Sequence, residues 1–273
     1  MRVRDIFREK LFEGKVVFIT GGGSGINLAI AKNFASLGAN LAICGRTESK
    51  LEGARKELEE LGAKVYAATA DVRDAQRLDE VITNTEKELG PIDVLVCAAA
   101  GNFLCPVEKL SPNAFKAVVD IDLLGSYNAC KFALDQLKKT RGSIIFISAG
   151  MSYVPYVAQA HVGAAKAGVD NLMRNLALEL GPYGIRSNSI VPGPIEGTEG
   201  MDRLAPGDAG KKFSRLVPLQ RFGTKDEIGE AAVFLASPLA SYITGTQLIV
   251  DGGQNLPGSG LFTHMVMSEM GRN

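Results

Sequence analysis

The chain carries no net charge: 30 Lys and Arg are balanced by 30 Asp and Glu across 273 residues. That balance excludes a general affinity for nucleic acid or for an anionic membrane, while a local basic pocket for a phosphorylated ligand stays open. Cysteine is scarce. Cys44, Cys97, Cys105 and Cys130 match no zinc-ligand spacing, so no metal is expected. Cys44 and Cys97 fall inside apolar runs, where packing is their predicted role. Unpaired cysteines fit a reducing cytoplasm. No apolar run reaches the roughly 18–20 residues needed to span a bilayer. The charged start, MRVRDIFREKLFEGK, lacks a signal-peptide core, and the final GRN is no Ser-Lys-Leu peroxisomal address. The expected location is the cytoplasm.

What is present is an alternation of short apolar, β-branched runs with helical patterns. Strands are predicted at 15–20 (KVVFIT), 40–45, 64–70, 94–99, 143–148, 185–193 and 247–252. Helices are predicted at 30–38, 49–62, 75–90, near 113–138, at 158–181 and near 225–236, with Gly38 and Gly62 as C-terminal caps. The strands are nearly continuous in apolar residues, as strands covered on both faces are. Strand–helix alternation of this kind gives an α/β doubly wound parallel sheet, expected as a single domain over 1–273. The weakly patterned stretch 193–222 reads as a lid or binding loop. A C-terminal tail follows from about 254.

The first strand runs into TGGGSGIN (20–27) and then a helix. Gly21, Gly23 and Gly25 let the backbone approach a pyrophosphate, and Ser24 and Ile26 open a helix whose free N–H groups attract anions. Where an NAD-binding chain places a carboxylate after the second strand, this one reads Gly45-Arg46. A guanidinium there suits a ribose 2′-phosphate, so NADP(H) is the expected cofactor. Asp71, followed by Val72, either meets the adenine region or caps the next helix.

These segments, with DIDLLGSYN (120–128), AAKAG (164–168), PGPIEGTEG (192–200) and ASYITGTQLIVDGG (240–253), resemble the short-chain dehydrogenase/reductase family over roughly residues 12–254. The resemblance implies a Rossmann-type domain of about seven parallel strands, usually tetrameric, with a nicotinamide hydride reaction. It also places Pro192, Gly193 and Ile195 at the nicotinamide carboxamide, and Lys166 on the nicotinamide ribose. The family's common Ser-Tyr-Lys site, with an Asn on the preceding helix, is altered here. The tyrosine position holds Val162, the serine position Ala149 and the asparagine position Asp122; Lys166 remains. Asn27 stands where the loop's last glycine would be, a residue expected to tolerate the unusual backbone angle. Within the family, AAGNFLCP (99–106), VVDIDLLG (118–125) and AHVGAAKAG (160–168) are similar to the peroxisomal type of 2,4-dienoyl-CoA reductase. That likeness implies an acyl-CoA substrate and an Asp122–Lys166 pair in place of Tyr–Lys. The mitochondrial type's tyrosine position is Met151 here.

Chemistry accommodates the lost phenol. Ketone reduction puts charge on an oxygen that must gain a proton. Conjugate reduction of a thioester spreads charge to an oxygen that needs only hydrogen-bond donors, and the final proton goes to carbon. Asn102 and Phe103 follow the fourth strand, Ser148 ends the fifth, and His161 sits beside the altered position, all candidates for the substrate. Plainer readings compete. Lys166 can be a surface lysine, Asp122 a cap or ion-pair partner, Phe103 a core residue, Ser148 a loop hydroxyl and His161 a satisfied histidine. Tyr153 or Tyr156 can swing in as a donor, and Arg and Lys within 203–212 can meet CoA phosphates or water. The rival functions are a trans-2-enoyl-CoA reductase, a carbonyl reductase using Tyr153 or Tyr156, and a non-catalytic NADP-binding protein.

Overall fold

The computed structural model describes residues 7, 10–198, 201, 210, 213–256 and 260–270. Seven parallel strands form one sheet in the order β3-β2-β1-β4-β5-β6-β7. They are β1 (Val16–Thr20), β2 (Asn40–Gly45), β3 (Val65–Thr69), β4 (Val94–Cys97), β5 (Ser143–Ile147), β6 (Arg186–Pro192) and β7 (Gln247–Val250). Helices α1 (Gly25–Ser36), α2 (Glu48–Glu59), α3 (Ala75–Leu89), α4 (Pro112–Val119), α5 (Gly125–Thr140), α6 (Ala160–Leu180), α7 (Lys225–Ala236) and α8 (Gly260–Glu269) accompany them.

The continuous apolar strands are explained by burial on both faces. Successive side chains point to opposite sides of a strand. Val17 and Ile19 of β1 join Ile30, Phe34, Leu58 and Ile228 from α1, α2 and α7. Val16 and Phe18 join Leu78, Ala133 and Met173 from α3, α5 and α6 on the other face. Each fully buried Val, Ile or Phe contributes about 1.5–3 kcal/mol relative to exposure. Cys44 and Cys97 lie in these layers, and burial pushes the Cys44 thiol up to about 12, so it packs as a small hydrophobe. Gly38 and Gly62 end their helices at φ +90° and +88°, where only glycine is unstrained.

Two predicted stretches differ. The helix expected near 113–138 is broken into α4, a π-helical turn at Asp120–Leu124, and α5. A π turn shifts the helix register by a fraction of a turn and is often found at functional sites. Here it carries Asp122 inward. The expected C-terminal tail contains α8, whose apolar LFTHMVM run lacked a start signal.

Candidate active site

Because all strands are parallel, their C-terminal ends share one edge, and the order reverses between β1 and β4. A crevice opens at such a reversal. Thr20 at the end of β1 locks it in place: its hydroxyl accepts the Ala98 and Ala99 N–H groups at 2.9 and 3.0 Å. The glycine turn that follows is a cradle with little room for side chains at Gly21, Gly22 and Gly23. Gly21 has φ +71°, and a Cβ on it would stand 3.1 Å from the Ala99 Cα; one on Gly23 would stand 3.3 Å from the Lys50 Cβ. Ser24 precedes α1, and its hydroxyl is not used in capping it. Asn27 corrects the expectation for the altered glycine. It lies in α1 without a positive φ. Its side-chain amide donates to the carbonyls of Gly21 and Ala98 at 3.1 and 3.0 Å, tying the loop to the end of β4.

The cradle opens into a cleft of about 260 Å³ that reaches Gly45, Arg46, Thr47 and Lys50 after β2, and Asp71 and Val72 after β3. Of the cleft-lining residues after β2, Arg46 and Lys50 are cationic and none carries a carboxylate. Asp71 is held by Arg73 at 2.6 Å, and that guanidinium keeps its carboxyl below the usual range. Asp71 does not cap α3; Asp74 does, accepting the Arg77 N–H. Val72 offers its carbonyl to Asn128 at 3.0 Å. Across the edge, Pro192 ends β6, the Gly193 N–H donates to the Val250 carbonyl, and Ile195 is buried beside Gly223.

Asp122 and Lys166 meet between β4 and β5. Asp122 is 1% exposed and Lys166 6%, so the surface reading of the lysine does not hold. Lys166 Nζ stands 3.1 Å from Asp122 Oδ2 and donates to the Ile147 carbonyl at 2.8 Å. The Gly101 N–H donates to Asp122 Oδ1 at 2.7 Å. An ammonium has three donors; one goes to the Ile147 carbonyl and one faces Asp122 Oδ2 in an ion pair that is not a well-formed hydrogen bond, so at least one is left for a ligand. Close packing sets this meeting: a Cβ on Gly168 of α6 would stand 2.7 Å from Leu123 of the π turn. Val162 lies one turn before Lys166, packed with Val118 and Ala165 in an apolar cluster.

The other candidates separate. His161 is fully buried against the Phe103 ring, centroids 4.4 Å apart, and neither ring nitrogen makes a well-formed hydrogen bond among the described residues, although the Phe103 backbone lies near enough to act on it. Burial lowers its pKa, with the Phe103 backbone and Asp122 offsetting part of that, so the imidazole is neutral at pH 7. Phe103 is 39% exposed rather than core, and Asn102 beside it is exposed. Ser148 does not point a free donor at substrate: its hydroxyl donates to Asp170 at 2.8 Å, within a buried network that Ser189 and Gln247 share. Sequence reasoning missed Asp170, although a carboxylate four residues after Lys166 on one helix face was a readable signal. It also missed Gln159, for which no local pattern spoke.

Tyr156 is engaged elsewhere, its hydroxyl donating to Asn255 Oδ1 at 2.6 Å. Burial raises its pKa and that of Tyr153, which disfavours the phenolate. Tyr156→Phe is expected to leave kcat within about twofold, as a lost hydrogen bond outside the reacting centre costs mainly stability, about 1 kcal/mol. A tenfold fall in steady-state kcat would restore it as a proton donor. Arg203, Lys211 and Lys212 of the loop lie outside the described residues. Among the described residues no group of His, Cys, Asp and Glu is placed to hold a metal, and no helix is long and apolar enough to cross a membrane.

A family model described as enoyl-(acyl carrier protein) reductase matches residues 21–255. The peroxisomal 2,4-dienoyl-CoA reductase [(3E)-enoyl-CoA-producing] of Saccharomyces cerevisiae is 48% identical over 251 residues, covering 90% of this chain and 86% of that protein. The rat protein of the same name, from Rattus norvegicus, is 45% identical over 251 residues, covering 91% and 86%. An NADPH-bound short chain oxidoreductase from Pseudomonas aeruginosa, described as containing an atypical catalytic center, superposes with a TM-score of 0.83 at 29% identity, over 89% of this chain and 97% of that one. The glycine cradle, the reversal crevice and these matches agree: the chain belongs to the short-chain dehydrogenase/reductase family of oxidoreductases.

Proposed function

We propose that this protein reduces a 2,4-dienoyl-CoA with NADPH, and that Asp122 and Lys166 manage the proton without a tyrosine. The observation that carries the reading is the buried Asp122–Lys166 pair one helical turn from an apolar Val162. The names of the relatives support the acyl-CoA substrate.

The cofactor is NADP(H), which supplies the hydride. Gly21, Gly23, Ser24, Gly25 and Ile26 take its pyrophosphate; the cradle a Cβ would fill fits that group. Arg46 takes the 2′-phosphate, Asp71 and Val72 border the adenine, and Pro192, Gly193 and Ile195 flank the nicotinamide. Arg46→Ala is expected to reduce the preference for NADPH over NADH about tenfold or more, since hydrogen bonds to charged groups contribute about 1.5–3 kcal/mol. Unchanged selectivity in steady-state kinetics would assign the 2′-phosphate to other groups.

Hydride delivered to the far end of the diene leaves charge shared between C2, C4 and the thioester oxygen. Neutral His161 and Asn102 offer that oxygen hydrogen bonds, and Phe103 lines the acyl path. Protonation at C2 leaves the remaining double bond at C3, the (3E) product. Lys166 and Asp122 hold the water that gives this proton, the ammonium donating to it and Oδ2 accepting from it. The pair acts on carbon protonation, which is why the loss of a phenol argues against ketone reduction. We also propose a homotetramer, to be read by light scattering. A reducing cytoplasm fits the four free cysteines; the two relatives are named peroxisomal, and cell fractionation distinguishes the two locations.

The test mixes protein, NADPH and 2,4-hexadienoyl-CoA, and follows loss of diene and NADPH absorbance together, beside a 2-enoyl-CoA and a 3-ketoacyl-CoA. Stoichiometric loss with the diene supports the reading. Turnover of the monoene alone would make it an enoyl-CoA reductase, and turnover of the ketone alone would send the search to Tyr153. Tight NADPH binding with no turnover would make it a non-catalytic nucleotide-binding protein.

A further inference from the structure

Five buried side-chain nitrogen or oxygen atoms lack a hydrogen bond among the described residues; three belong to Gln159 and His161, and a fourth, Asp122 Oδ2, has only its ion-pair contact with Lys166 at 3.1 Å. Buried polar groups are nearly always paired, so such a concentration points to a ligand or an ordered water. All three residues bear on one short segment after β4. Asp122 takes the Gly101 N–H, Gln159 donates through Nε2 to the Phe103 carbonyl at 3.3 Å, and the Phe103 ring lies on His161. The Cys105 N–H donates to the Ala158 carbonyl at 3.0 Å, and Ala158 has φ +62°, an angle a non-glycine residue adopts at a cost. Asn102, Phe103 and Leu104 are exposed. A thin, exposed cover therefore lies over buried polar atoms whose bonding is incomplete.

Gln159 is 3% exposed, and its Oε1 is an acceptor in need of a donor. The thioester function of an acyl-CoA offers no donor, but its arm carries an amide N–H two carbons beyond the sulfur. Resting on the reading of this site as a thioester reductase, we propose that Gln159 is a specificity-determining residue. Once Phe103 moves off His161, Gln159 Oε1 accepts a hydrogen bond from the first amide N–H of the acyl-CoA arm, beside the thioester oxygen on His161. The site then measures the spacing between a thioester oxygen and an amide proton, which selects CoA-type arms over simple thioesters.

A chemical exchange on the substrate tests this. The 2,4-hexadienoyl thioester of N-acetylcysteamine contains that amide; its 4-oxopentyl thioester replaces only the N–H by CH₂. The native protein is expected to prefer the amide form about tenfold in kcat/KM, the effect of one buried hydrogen bond of about 1.4 kcal/mol. Gln159→Leu should abolish that preference, lowering kcat/KM for the amide substrate about tenfold more than for the other. Gln159→Glu keeps an acceptor while losing the bond to Phe103, and should retain the preference; it also serves if the leucine variant fails to fold. Equal losses on both substrates would overturn the proposal and make Gln159 a strut holding a water. Preference for the amide form that persists in Gln159→Leu would overturn it too. Absence of any diene turnover by the native protein would instead sink the dienoyl-CoA reading, and this proposal with it.

Discussion

Lys166→Met is expected to lower kcat/KM for a 2,4-dienoyl-CoA by about three orders of magnitude. Positioned proton transfer contributes typically 10²–10⁴-fold, and each 1.36 kcal/mol of barrier is about tenfold. Lys166 places its ammonium by two contacts, the Ile147 carbonyl at 2.8 Å and Asp122 Oδ2 at 3.1 Å. Methionine keeps the buried stem and removes every donor. Asp122→Asn is the sharper companion. It leaves an oxygen for the Gly101 N–H but strips the charge facing Lys166, so kcat is expected to fall about a hundredfold while NADPH binding stays within a few-fold. Removing one partner of a buried pair is destabilising by about 3–5 kcal/mol, so melting temperatures must be read beside the rates. In the proposed mechanism the two side chains act as a unit on one water, so the double variant should be no worse than Lys166→Met by more than about threefold. Multiplying losses in single-turnover experiments would show two independent roles. A Lys166→Met enzyme within tenfold of the native rate would remove the pair from the chemistry.

The sheet was legible because its signal is local and repeated. All seven predicted strands match observed ones within two residues at either end; β1, β2, β4 and β5 are buried on both faces and so nearly apolar throughout, whereas β6 carries Ser187, Asn188 and Ser189 and the edge strands β3 and β7 are only partly buried. The geometry of the candidate site was legible where backbone constraint or charge is written into residue type: Gly21 and Gly23 in the cradle, Arg46 at the β2 end, Asp122 facing Lys166. What stayed hidden depends on side-chain partners far apart in sequence. Asn27 looked like a lost glycine, but its amide bridges to Ala98, 71 residues away. Ser148 looked like an active-site hydroxyl, and its partner Asp170 sits 22 residues on. The π turn at Asp120–Leu124 leaves no mark on apolar periodicity, since it displaces the pattern by a single residue.

Asp170→Ala is expected to be the most damaging substitution for stability outside the reacting centre. Asp170 is 2% exposed, and its carboxylate accepts from Ser148 Oγ at 2.8 Å, Ser189 Oγ at 2.9 Å and Gln247 Nε2 at 2.6 Å. One group on α6 thereby ties the end of β5, β6 and β7 together. Alanine would leave three donors without that acceptor, each unsatisfied group costing about 1–3 kcal/mol. The hydroxyls can turn to other acceptors, so the total should be about 3–5 kcal/mol, within the range reserved for broken buried networks. For a domain of this size that is a fall in Tm of roughly 6–20 °C. Asp170→Asn keeps one acceptor oxygen but turns an NH₂ toward existing donors, so about half that loss is expected. The damage should also reach the chemistry. Ser148 follows Ile147 directly, and the Ile147 carbonyl holds Lys166 Nζ. Loosening Ser148 frees that carbonyl, so kcat should fall several-fold in Asp170→Asn at temperatures well below its Tm, with KM for NADPH little changed. A native kcat in a clearly destabilised Asp170→Asn would show that the β5 end holds Lys166 without help from the network.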